Sequence, residues 1–128
     1  MNAFSIIKGH DKDRVNALID IAQEGLNELD QESNDSYTKI HHFAMVGILI
    51  VAYCRDSVKS RIWNLTSSKV WTGFGGKAGN KGGVALRFDL DDTSIVFCNC
   101  HLESGQSKTQ EWLEQWRQIM DNAFLNKE

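Results

Sequence analysis

Apolar side chains recur at Val15, Leu18, Ile19, Ala22, Leu26 and Leu29, the i, i+3, i+4, i+7 spacing of one helical stripe. The spacing predicts a helix from Asp11 to about Ser33, capped by Asp11 or Asp13 and packed through its stripe on a sheet. Gln31–Ser36, rich in Asn, Asp and Ser, breaks the pattern and predicts a loop. The period then drops to two: Tyr37, Lys39, His41 and Phe43 share one face of a strand over Tyr37–Phe43. Val46–Cys54 is apolar on both faces and rich in β-branched residues, which predicts a central strand buried on both sides.

Arg55–Ser60 is a charged turn, and Arg61–Leu65 and Lys69–Thr72 are expected as two short strands on either side of Thr66–Ser68. Gly83–Asp89 alternates Val84, Leu86 and Phe88 against Ala85, Arg87 and Asp89, the pattern of a half-buried strand. The turn Asp91-Asp92-Thr93 sends the chain back as a buried strand over Ser94–His101. Ser107-x-x-Gln110 has the form of a capping box. Behind it Trp112, Trp116, Ile119, Met120 and Ala123 make one stripe, with Phe124 adjoining, and predict a helix to Phe124 or beyond. A helix, about five or six mostly antiparallel strands and a second helix give an α+β fold, expected as one domain over residues 1–128.

Composition narrows the class. A chain of 128 residues, 41% hydrophobic and 24% charged, is long enough for one modest core. Its net charge of −3 argues against a nucleic-acid partner, which would call for a basic patch. The longest apolar run, Ala44–Tyr53, falls well short of the roughly 20 residues of a membrane span. Met1–Gly9 has no long apolar run followed by a cleavage site, and three cysteines suit a reducing compartment, so the cytoplasm is the expected location.

Candidate chemistry gathers between Trp71 and Gly105. Six of the ten glycines fall from Gly73 to Gly83, with Lys77, Asn80 and Lys81 among them. Such a loop exposes amide N–H groups beside cationic donors, a combination that favours phosphate. Gly73-Phe74-Gly75-Gly76-Lys77-Ala78 matches a dinucleotide fingerprint as a string, yet a strand follows it where that fingerprint opens a helix. Gly76-Lys77 lacks the rest of a Walker A loop. A glycine-rich surface loop without a ligand is the plain alternative. His101, at the end of a strand, can donate to a phosphate or shuttle a proton, or can simply end the strand. In Cys98-x-Cys100-His101 the histidine points away from both sulfurs, so two buried free thiols are expected rather than a metal site.

The string from Thr72-Gly73 through Gly79-Asn80-Lys81-Gly82-Gly83 to Arg87-Phe88, followed by Phe97-x-Asn99-x-His101-Leu102 and Gly105-Gln106, resembles the catalytic domain of inositol polyphosphate 5-phosphatases. The resemblance runs from about Tyr37 to Ile119. It implies part of a deoxyribonuclease-I-like sandwich of mostly antiparallel strands flanked by helices. It also implies Mg²⁺-dependent hydrolysis of the 5-phosphate of a phosphoinositide or a soluble inositol phosphate, at or near a membrane surface. By position His101 would contact the scissile phosphate, and Asn80, Lys81 and Lys77 would hold phosphate. The family's Gly-Asp-x-Asn, Trp-x-Asp-Arg and Ser-Asp-His segments do not occur in these residues, and Gln23-Glu24 falls in the first helix, where the family's metal-binding Gln-Glu does not lie. The expectation is therefore a fragment that is inactive alone, holds no complete metal site and self-associates through uncovered sheet. A non-catalytic phosphoinositide-binding or scaffold module is the alternative, and a nuclease of the same broad fold a more distant one.

Overall fold

The computed structural model describes residues 10–73, 79–105 and 107–125 of the chain. In order these form α1 (His10–Leu29), β1 (Tyr37–Met45), β2 (Ile48–Arg55), α2 (Asp56–Lys59), β3 (Ile62–Trp71), β4 (Gly82–Leu90), β5 (Thr93–His101) and α3 (Thr109–Asn122). β1 and β2 make a two-stranded sheet, and β3, β4 and β5 make a three-stranded one with β4 in the middle. The chain divides into two compact units: Met1–His41 with Val51–Ser60, and His42–Ile50 with Arg61–Glu128.

In the first unit α1 ends at Leu29, short of the expected Ser33. Ile19 is buried, but Leu18 and Leu29 of the predicted stripe stay exposed. Polar residues of α1 make the junction with β1. The Asn27 amide donates to the Tyr37 carbonyl (3.1 Å) and accepts from the Tyr37 N–H (2.6 Å), and Gln23 accepts from the Lys39 N–H (3.0 Å). Two side chains one helical turn apart thus satisfy alternate backbone groups along a strand edge. The Tyr53 hydroxyl donates to the Ile19 carbonyl (2.7 Å). Arg55 pairs with Asp30 and stacks 4.7 Å over the Tyr37 ring, which ties down the loop after the helix.

The predicted central strand over Val46–Cys54 is corrected. The chain turns at Val46-Gly47, where Gly47 has φ +74°, and β2 starts only at Ile48. Most of β2 is half-buried, and among the described residues it pairs with β1 alone. An apolar run hid the turn because valine and glycine both count as non-polar.

In the second unit the two short strands expected around Thr66–Ser68 are one strand, β3. A register shift between Trp63 and Thr66 absorbs the irregularity, with Asn64 at φ +49°. β4, expected to be half-buried, is the covered strand: from Gly82 to Asp89 only Arg87 is exposed. One face carries Val84, which packs with Met45 and Ile48 from the hairpin tip, flanked by Phe43, Ile50 and Trp71. The other face carries Gly83, where a Cβ would lie 3.0 Å from Ile119 of α3. Layers on both faces explain why β4 is the apolar centre. β5, expected to be buried, is mostly exposed, because β4 is its only strand partner among the described residues.

α3 starts at Thr109 after Lys108, and no side chain caps it, so the expected capping box does not form. Instead Lys108 reaches forward to Glu111 (2.7 Å). Of the α3 stripe Ile119 is buried, while Trp112, Trp116 and Met120 are exposed. No helix among the described residues is long and apolar enough to cross a membrane.

Candidate functional site

β4 and β5 pair so that Gly82 stands opposite His101, and β3 and β4 pair so that Trp71 stands opposite the same glycine. Lys81, one residue before β4, therefore emerges at the end of the sheet where β5 delivers its histidine. The Lys81 Nζ lies 3.0 Å from His101 Nε2. An ammonium can only donate, so Nε2 accepts with its lone pair and the ring proton sits on Nδ1.

Beside this pair, Gly82 lets β4 close tightly against β3. It has φ +150°, and a Cβ there would lie 2.1 Å from the Val70 carbonyl oxygen and 2.7 Å from the Met45 methyl. No other residue fits without displacing β3. Just outside, the N–H groups of Thr72 and Gly73 both donate to the Lys81 carbonyl (3.0 and 3.4 Å) and close the base of the glycine loop. The Thr72 hydroxyl is buried with no hydrogen-bond partner among the described residues.

α3 braces the strand ends around this pair. Gln118 donates to the Trp71 carbonyl (3.1 Å), just ahead of the loop, and Gln115 accepts from the Glu103 N–H (2.7 Å), just after His101. The two glutamines are three residues apart and so share a helix face. Two residues before His101, Asn99 donates to the Leu49 carbonyl of the hairpin tip (3.0 Å). The sequence assigns no role to Gln115 or Gln118; the one signal they give is glutamine at i, i+3 beside an apolar stripe.

The structure thus brings Lys81 and His101 together. Asn80 is exposed next to Lys81. Lys77 lies outside the described residues. Lys81 takes part in none of the ion pairs seen among the described residues. A cation and an imidazole that meet with no carboxylate between them can both turn donors toward an anion. No group of three or more His, Cys, Asp or Glu side chains among the described residues converges as a ready-made metal site. The expected buried thiols are corrected in part. Cys54 is buried, but Cys98 is exposed and Cys100 half-buried, their sulfurs 3.4 Å apart on the strand face opposite His101.

Comparison with known proteins agrees with this architecture. Residues 10–128 match the model of the endonuclease/exonuclease/phosphatase family 2. The chain is 40% identical over 93 residues to the protein named "Probable inositol polyphosphate 5-phosphatase" of Schizosaccharomyces pombe, a match covering 73% of this chain and 8% of that protein. It is 40% identical over 75 residues to synaptojanin-2 of Rattus norvegicus, covering 59% of this chain and 5% of that protein. Among solved structures it is similar to the inositol polyphosphate 5-phosphatase domain of SPsynaptojanin, determined in complex with inositol (1,4)-bisphosphate and calcium ion. That match has a TM-score of 0.72 and 28% identity, and covers 83% of this chain and 31% of that one. The chain therefore spans under a tenth of each of these two curated relatives and about a third of the solved domain. The fold is α+β, part of a deoxyribonuclease-I-like arrangement of mostly antiparallel strands flanked by helices. A family model that spans all but the first nine residues, on a matching fold, places this chain in the endonuclease/exonuclease/phosphatase family 2.

Proposed function

We propose that residues 1–128 are part of one inositol polyphosphate 5-phosphatase catalytic domain and supply its phosphate grip. The observation that carries this reading is the 3.0 Å approach of Lys81 Nζ to His101 Nε2 at the mouth of the glycine loop. On binding, the phosphate of a phosphoinositide or of a soluble inositol phosphate replaces their mutual hydrogen bond. Lys81 then supplies a fixed positive charge to one phosphoryl oxygen, and His101 turns from acceptor to donor toward another. Asn80 and Lys77 are further phosphate-binding residues in this reading. Hydrolysis of the 5-phosphate, with Mg²⁺ as its cofactor, is the activity proposed for the whole domain. Because the described residues offer no ready-made metal site, these 128 residues alone are expected to bind inositol phosphate and release little or none of its phosphate.

Calorimetry of the chain with inositol (1,4)-bisphosphate tests the grip, and phosphate release in Mg²⁺ tests the inactivity. Saturable binding that is lost in Lys81→Ala, with no turnover, is the expected result. Binding unchanged in both Lys81→Ala and His101→Ala removes the grip. The same titration on phosphoinositide-bearing vesicles distinguishes a peripheral membrane location from capture of soluble headgroups. Exposed Val96, Phe97, Trp112, Trp116 and Met120 leave apolar surface open to self-association, which a concentration series in the ultracentrifuge would show.

A further inference from the structure

We propose that Cys98 and Cys100 are a dithiol modification site, which closes to an intrachain disulfide under peroxide and reopens to a small dithiol, moving His101 as it does so. Strand parity sets both side chains on one face of β5, and their sulfurs lie 3.4 Å apart in hydrogen-bond contact. Small residues lie opposite them. Cys100 pairs with Gly83 and Cys98 with Ala85, and a Cβ on residue 83 would approach the Cys100 sulfur to 3.3 Å. No bulky neighbour on β4 holds the sulfurs apart.

Alternate residues of a strand have Cα atoms about 6.6–6.8 Å apart, the upper end of the range a disulfide spans. Closing the sulfurs to about 2.05 Å therefore shortens the strand locally. β5 can give, since among the described residues it is paired on one edge only and is mostly exposed. A disulfide closed against such resistance is strained, which belongs to the labile and regulatory class rather than the structural one. Desolvation and the hydrogen bond to the neighbouring sulfur push the Cys98 thiol up to about 12. The two sulfurs lie in contact on one face of β5, and either can meet the oxidant.

The chemistry balances. One of the two sulfurs attacks a peroxide oxygen, forming a sulfenic acid and releasing one water. The other sulfur then displaces the hydroxyl, which leaves as a second water carrying that thiol's proton. Two thiols are oxidised by two electrons and one peroxide is reduced. His101 follows Cys100 directly, so contraction of residues 98–100 draws the imidazole along the strand and away from Lys81. Ring closure stands apart from the proposed function, whereas any loss of phosphate capture on oxidation rests on that reading.

The test treats the full chain with hydrogen peroxide and then with dithiothreitol. Trypsin leaves both cysteines in one peptide, Phe88–Lys108. The expected product is that peptide lighter by two hydrogens, refractory to alkylation, and restored by the dithiol. In parallel the His101 ring resonances shift on oxidation of the wild type and stay still in Cys98→Ser. Cys98–Cys98 dimers, or sulfinic acid on either residue without the internal bond, would overturn the site. An internal disulfide with unmoved His101 resonances would overturn the coupling. If the ring moves but inositol (1,4)-bisphosphate binds the oxidised and reduced chains alike, the phosphate grip fails and the switch survives.

Discussion

The two ends of the three-stranded sheet are built from similar residues and treat their charges in opposite ways. At the far end Arg61, Asp89 and Asp91 have each found an opposite charge or a donor. Arg61 pairs with Asp91, whose carbonyl accepts from the Trp63 indole (3.0 Å). Asp89 accepts from Ser94 and from Asn64 (2.8 Å) and lies near Arg87. At the near end Lys81 meets His101, and a buried threonine hydroxyl has no partner among the described residues. A polar cluster that satisfies itself is architecture. One that sets two potential donors face to face is waiting for an anion. The contrast is what favours the Lys81 end of the sheet for the proposed phosphate grip.

The comparison can be broken most violently at Gly82. Gly82→Ala places a methyl group against the Val70 carbonyl at positive φ and should cost more than about 3 kcal/mol, read as a fall in the urea midpoint. A variant that melts with the wild type would show that β3 and β4 do not meet as described. Next comes Ile119→Ala, which empties the fully buried contact over Gly83 and should cost about 2–4 kcal/mol while leaving the Lys81–His101 pair in place.

Lys81→Ala sharpens the contrast, because it should leave stability within about 0.5 kcal/mol yet weaken inositol phosphate binding roughly ten- to a hundredfold, the scale of one charge-assisted hydrogen bond. Arg61→Ala at the other end should do the reverse: no change in binding and a small loss of stability. A binding defect in Arg61→Ala would erase the distinction between the ends.

Acid separates the ends in another way. Hydrogen bonds from Ser94 and Asn64 hold Asp89 below the usual carboxylate range, and Arg61 does the same for Asp91. Both groups bind protons less readily folded than unfolded. Their contribution is complete above the unfolded value of about 3.9 and is lost as pH falls through the lower folded values. The melting temperature should therefore drop in that window, and the drop should be shallower in Asp89→Asn. A drop of equal steepness would place the acid sensitivity elsewhere. Asp35, lowered by its bonds to Ser57, adds to the same window from the first unit.

Much of this was legible in the sequence because the signals were local. The glycine cluster, the lysine before one strand and the histidine ending the next put Lys81 and His101 at a common sheet end once the strands were read as a hairpin. The α3 helix and the turn at Asp91 were equally plain. What the sequence hid depends on neighbours remote along the chain. Val46–Cys54 reads as one buried strand until Gly47 is seen to turn it. Gly83–Asp89 alternates like a half-covered strand, yet α3 and the hairpin tip cover both faces. Ser94–His101 is apolar enough for a core but has a strand on one side only. Gln115 and Gln118 hold the strand ends through backbone groups, which leave no mark in a sequence pattern.

The most direct test follows the His101 ring by NMR as inositol (1,4)-bisphosphate is added to the chain. Saturable movement of its resonances in the wild type, abolished in Lys81→Ala with the melting temperature unchanged, is the predicted result. A ring that does not respond, or one that responds equally without the lysine, would contradict a shared grip on phosphate.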